Sequence, residues 1–148
     1  MDASQQSTDP TCECFVAGDI GSAEPLSEQP GHFFQNNEVV GVWKGGPLDG
    51  FLMTAHTAWA YEGGSKGKLV GGIAVARKLG AGHVVFEQGT GTADLSLTPT
   101  GMMADWSARA TATVKLATGE AAPLQSKQFE WTGKLISPGR FMLEAKAE

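Results

Sequence analysis

Between residues 102 and 116 the chain alternates apolar and polar side chains almost without a break. Met102, Ala104, Trp106, Ala108, Ala110, Ala112, Val114 and Leu116 fall in one phase, and Asp105, Ser107, Arg109, Thr111, Thr113 and Lys115 in the other. A period of two held this long predicts a β-strand with one buried and one solvated face. Met102, Trp106, Ala110 and Val114 also stand at helical i, i+4 spacing. The β-branched Thr111, Thr113 and Val114 and the bounding Gly101 and Gly119 decide for the strand. Its buried face sets one tryptophan among alanines, a combination that leaves room in a core.

The same reading applied from Glu38 onward predicts further strands over 38–44, 51–62, 68–78, 83–88, 92–97, 125–137 and 140–146, eight in all. Gly45-Gly46-Pro47, Gly63-Gly64-Ser65, Leu79-Gly80-Ala81-Gly82, Gly89-Thr90-Gly91, Thr98-Pro99 and Pro138-Gly139 punctuate them. Connections this short join antiparallel neighbours, because a parallel pair needs a long crossover. The predicted fold class is therefore all-β, an eight-stranded antiparallel up-and-down barrel, with a β-sandwich as the alternative.

Alternation also assigns an interior. Met53, Trp59 and Tyr61 share one face of the second predicted strand, Leu69, Ile73 and Val75 one face of the third, and Val84 and Phe86 one face of the fourth. Phe129, Trp131 and Leu135 face together on the seventh, and Phe141, Leu143 and Ala145 on the eighth. Ala55, Ala108, Ala110, Gly71 and Gly133 add little volume toward the same centre, so a packed interior at the usual density of about 0.75 is hard to reach without a guest. The expected ligand-binding set is Trp43, Met53, Trp59, Ile73, Phe86, Trp106, Phe129 and Trp131.

Charge divides the chain. The net charge is −5, yet residues 1–31 hold six acidic side chains, three prolines and no Lys or Arg, which predicts an acidic, disordered arm ahead of a single barrel domain over 32–148. The remainder is nearly neutral and lacks the clustered basic face that nucleic acid requires. No run reaches the roughly 18 apolar residues of a membrane-spanning helix, and the first residues lack the basic and apolar stretches of a signal peptide, so the expectation is a cytoplasmic chain.

Motifs that carry chemistry are few. Gly63-Gly64-Ser65-Lys66-Gly67-Lys68 misses the spacing of a phosphate loop, and Gly89-Thr90-Gly91 lacks a third glycine and a following helix. Cys12 and Cys14, spaced C-x-C, are closer than the usual zinc pairs, His32 lies just beyond the acidic arm, and His56, His83 and Glu87 fall in the outward phase, so neither a metal nor a cofactor is assigned. Tyr61 and His56 are the candidate catalytic residues, since burial can move either toward a useful pKa.

Gly41-Val42-Trp43 opening the first predicted strand, and Arg140 near the end, resemble the calycin pattern, in which a Gly-x-Trp begins a lipocalin-like barrel and a late basic residue packs across the tryptophan. At a coarser level the strand series is similar to allene oxide cyclase-like barrels. Either resemblance implies a ligand cavity inside the barrel. The resulting expectation is binding of a small apolar or aromatic molecule. A cofactor-independent cyclase, isomerase or lyase acting in the same cavity is the alternative. A third reading is an assembly subunit docking through its acidic arm, with self-association left open.

Overall fold

A computed structural model describes residues 9–16, 24–25, 32–62, 65–100 and 103–148. The strands are β1 (Thr11–Val16), β2 (Glu24–Pro25), β3 (Phe33–Lys44), β4 (Leu52–Glu62), β5 (Lys66–Lys78), β6 (Gly82–Leu97), β7 (Met103–Ala117), β8 (Gln128–Ser137) and β9 (Arg140–Ala147). From β3 to β9 each strand pairs antiparallel with the next in sequence, and β1 pairs with both β9 and β3. That double pairing closes eight antiparallel strands into an up-and-down barrel and excludes the sandwich; the two-residue β2 adds to the free end of β3.

The eight strands are not the eight expected. Residues 83–88 and 92–97 belong to one continuous β6, because the glycines between them form an irregularity in the ladder to β7 between Gln88 and Gly91 and not a hairpin. The missing member is β1, which the charge count placed in a solvated arm. Thr11-Cys12-Glu13-Cys14-Phe15 alternates like any other strand: Cys12 and Cys14 are buried, while Phe15 is exposed. The rest of the expected arm lies outside the described residues, apart from Asp9, Pro10 and the two residues of β2.

Bulges decide which side chains face inward. Along β4 and β5, Ala58 opposes Gly71 and Trp59 opposes Leu69, so Val70 is an extra residue. One extra residue inverts the alternation beyond it. Ala74 and Ala76 are therefore buried, and Ile73, expected inside with Val75, is 55% exposed on the outer wall. Similar shifts near both ends of β7 turn Ala104 and Leu116 outward and bring Ala117 in; the alternation from Trp106 to Val114 holds.

The interior forms two aromatic layers. In the first, Phe86 meets Phe129 at 6.0 Å and Trp131 at 5.0 Å, and Trp43 meets Trp131 at 5.4 Å. Two short 3-10 helices, Gly46–Leu48 and Gly119–Leu124, contribute the buried Leu48, Ala121 and Leu124 to this layer. In the second, Trp106 meets Trp59 at 6.0 Å and Phe141 at 5.2 Å, and Phe33 stacks on Tyr61 at 4.8 Å. Such pairs contribute about 0.5–1.5 kcal/mol each beyond the area they bury.

Because β1 supplies hydrogen bonds to two neighbours, deleting the chain through Val16 should leave β3 and β9 as open edges. The expected outcome is loss of a cooperative thermal transition together with concentration-dependent association, measured by calorimetry and size-exclusion chromatography.

Candidate functional site

Between the two aromatic layers lies a cavity of about 70 Å³. Trp59, Trp106 and Trp131 form its aromatic walls, and Ala55, Ala108 and Ala110 leave the space between them. The alternation of β7 puts both Ala108 and Ala110 on the inner face beside Trp106, so the small residues open the barrel where the sequence pattern places them. Half-buried Met103, Phe141 and Leu143 complete one side. Among the described lining residues the polar side chains are Asn37, Thr57, Gln88 and the Cys14 thiol.

Two of these lining side chains carry buried polar atoms with no hydrogen-bond partner. Gln88 is 8% exposed and its Oε1 is unpartnered; Trp131 is 3% exposed and its Nε1–H is unpartnered. Gln88 is the last inward residue of β6 before the irregularity, and its amide fills the space that Gly72 leaves on the facing strand. A Cβ at position 72 would stand 2.1 Å from Gln88 Oε1. Gln35 Oε1 and Trp43 Nε1 are likewise unpartnered elsewhere in the interior. Each such group costs roughly 1–3 kcal/mol unless something hydrogen-bonds to it.

The expected ligand set separates into three groups. Trp59, Trp106 and Trp131 line the cavity. Trp43, Met53, Phe86 and Phe129 fill the first layer and lie outside the lining. Ile73 is on the outer wall. The two candidate catalytic residues are not brought together. Tyr61 is buried in the second layer, where its hydroxyl accepts a hydrogen bond from Trp106 Nε1 at 3.0 Å. His56 is exposed on the outside of β4, opposite Glu38 and Ile73.

Burial pushes the Tyr61 phenol up to about 12, with the Trp106 hydrogen bond opposing the shift. A phenol held so high keeps its proton near neutral pH and does not act there as a base. Arg140 does not pack across Trp43 as the calycin pattern implies. Its guanidinium lies 5.4 Å from the Phe15 ring centroid and pairs with Glu13, both on the outer wall. Among the described residues no three His, Cys, Asp or Glu side chains gather to hold a metal ion.

Sequence reasoning missed Gln88 and Cys14, although both had a signal. Gln88 is in phase with Val84 and Phe86, and Cys14 alternates with Glu13 and Phe15. The polarity of the first and the acidic neighbourhood of the second hid them.

Tyr61 yields a test of the second layer. Below its ordinary value of 10.0 the phenol is protonated in both folded and unfolded chains; between there and about 12 only the unfolded chain releases the proton. Stability is therefore expected to fall by about 3 kcal/mol across that window as pH rises, measured by urea unfolding at successive pH values. Tyr61→Phe should make the decline between pH 10.0 and about 12 shallower by that amount, leaving the part that the buried Cys12 thiol contributes. It should also lower stability near neutral pH by roughly 1–3 kcal/mol, because Trp106 Nε1–H loses its acceptor.

Compared with known proteins, the chain matches no family model, no curated protein and no solved structure.

Proposed function

We propose that the barrel binds a small, mainly apolar molecule, best an aromatic ring bearing a hydroxyl, between its two aromatic layers. The observation that carries this reading is the presence of an unpartnered acceptor, Gln88 Oε1, and an unpartnered donor, Trp131 Nε1–H, on residues that line one mainly apolar cavity. A hydroxyl can donate to the first and accept from the second. An apolar body then packs against the tryptophan and alanine walls.

Size narrows the class. A cavity that holds benzene is about 150 Å³, roughly twice the ≈ 70 Å³ present. A single ring therefore enters only if the lining gives way, and the unbranched Met103 is the side chain suited to move. Long-chain ligands of the lipocalin kind are a poor fit.

The cyclase, isomerase or lyase reading draws little support from the lining. Among the described residues there, no carboxylate, imidazole, amine or phenol faces the cavity, so only catalysis by shape and orientation would be left to it.

Titration of tryptophan fluorescence with p-cresol and with toluene tests the proposal, since the two differ by one hydroxyl. p-Cresol is expected to bind roughly tenfold more tightly, as one well-made hydrogen bond to a buried group provides. Gln88→Leu should erase that difference while keeping toluene binding. Equal affinity of the two ligands for the wild type would remove the hydrogen-bonding role of Gln88. Ala108→Leu, which fills the cavity, is expected to abolish both signals while preserving the fold; retention of binding would place the ligand elsewhere.

A further inference from the structure

Cys12 and Cys14 are the residues of the barrel interior that the ligand site leaves unexplained. They stand two apart on β1, so both point inward, and both are essentially unexposed, at 0% and 1%. Their sulfur atoms lie 3.3 Å apart, with the Cys14 thiol directed at Cys12 Sγ. The space for this pair comes from β3. Gly41 is the register partner of Cys14, and a Cβ there would stand 2.7 Å from Cys12 Sγ and 3.1 Å from Cys14 Sγ. Neither thiol is bonded to the other; both are free.

Only one of the two reaches the cavity. Cys14 lines it, whereas Cys12 sits deeper in the first layer. Hydrogen bonding with Cys14 and burial both push the Cys12 thiol up, which keeps it protonated. Holding a soft metal ion would require two thiolates, and so a net charge, in a mainly apolar layer that offers no cationic side chain among the cavity-lining residues described. A disulfide, by contrast, is neutral before and after the reaction.

We propose that Cys12 and Cys14 form a reversible intrastrand dithiol–disulfide pair, oxidised by a hydroperoxide small enough to enter the barrel cavity, and that oxidation loosens the strand that closes the barrel. The cavity of about 70 Å³ has room for a few water-sized molecules. Hydrogen peroxide fits; glutathione disulfide does not. Cys14 sulfur attacks one peroxide oxygen, the O–O bond breaks, and Cys14 becomes a sulfenic acid as one water leaves. Cys12 sulfur then attacks Cys14 sulfur, the S–O bond breaks, and the hydroxyl takes up the Cys12 proton and leaves as the second water. The two sulfurs lose two electrons, which the peroxide oxygens gain.

Geometry makes the product strained. Residues two apart in a strand have Cα atoms about 6.6 Å apart, near the upper limit of about 6.8 Å for a disulfide. The sulfurs must also close from 3.3 Å to about 2.05 Å. The strand shortens to do so, and the strand concerned is the one whose ladders to β3 and β9 seal the barrel. Strain of this kind also raises the reduction potential, so a dithiol reductant reopens the bond.

The test treats the reduced full-length chain with hydrogen peroxide, quenches it, denatures it, alkylates free thiols and measures intact mass. The expected result is a chain lighter by two hydrogens that takes up no alkylating agent and returns to its starting mass with dithiothreitol. Cys12→Ser should instead stop at a single sulfenic acid on Cys14 that dimedone traps. Unchanged mass, oxygen added to both sulfurs, or disulfide-linked dimers would each overturn the pairing. Hydrogen exchange of the native oxidised chain reads the second half: amides of residues 11–16, 39–44 and 140–144 should exchange roughly tenfold faster or more than in the reduced chain. Equal exchange in the two states would overturn the loosening of the seam.

Discussion

Closure of the sheet through Thr11–Val16 is the constraint on which the remainder of the structure depends. A curved antiparallel sheet from β3 to β9 would otherwise end in two open edges, each with a row of unpaired backbone N–H and C=O groups. β1 pairs with both edges at once, matching Cys12 to Trp43 on one side and to Leu143 on the other. Six residues thereby enclose an interior that the other strands line but cannot seal. They also place two thiols inside an apolar layer, where Gly41 alone among the residues opposite them provides the space.

Within that enclosure, packing is uneven by composition. Phe86, Phe129, Trp131 and Trp43 fill the first layer, and Trp59, Trp106, Tyr61 and Phe33 fill the second. Ala55, Ala108, Ala110 and Gly133 occupy the level between them and reach too little volume to meet across the barrel. The cavity is thus a consequence of where small residues fall among large ones. Its two unmatched polar atoms, on Gln88 and Trp131, are energetically costly wherever nothing hydrogen-bonds to them. Cys14 is one of the walls of this cavity, so the proposed ligand site and the dithiol share a boundary.

Much of the fold was legible in the sequence because a strand buried on one face must alternate, and alternation is a local property. The inward phase of Met53, Trp59 and Tyr61 on β4, of Trp106, Ala108 and Ala110 on β7, and of Phe129 and Trp131 on β8 could each be read from its own segment. The eight-stranded antiparallel barrel followed from short turns and the need to remove edges. Trp59, Trp106 and Trp131 line the cavity because their own strands place them on the inner face.

What alternation could not convey is any relation between strands. The extra residue Val70 is visible only as a mismatch between β4 and β5, so the outward turn of Ile73 and Val75 had no signal in their own segment. The continuity of β6 past Gly89 and Thr90 depends on pairing with β7 on both sides of the irregularity. β1 looked like part of an acidic arm because its alternation spans too few residues to outweigh the surrounding charge; only simultaneous pairing with the first and last long strands makes it a wall of the barrel. Within each run free of bulges, the two-residue period of an extended backbone already assigns side chains to a common face. Tertiary structure decided which of those faces turned inward and which residues met there, because bulges and closure are properties of strands in register with one another.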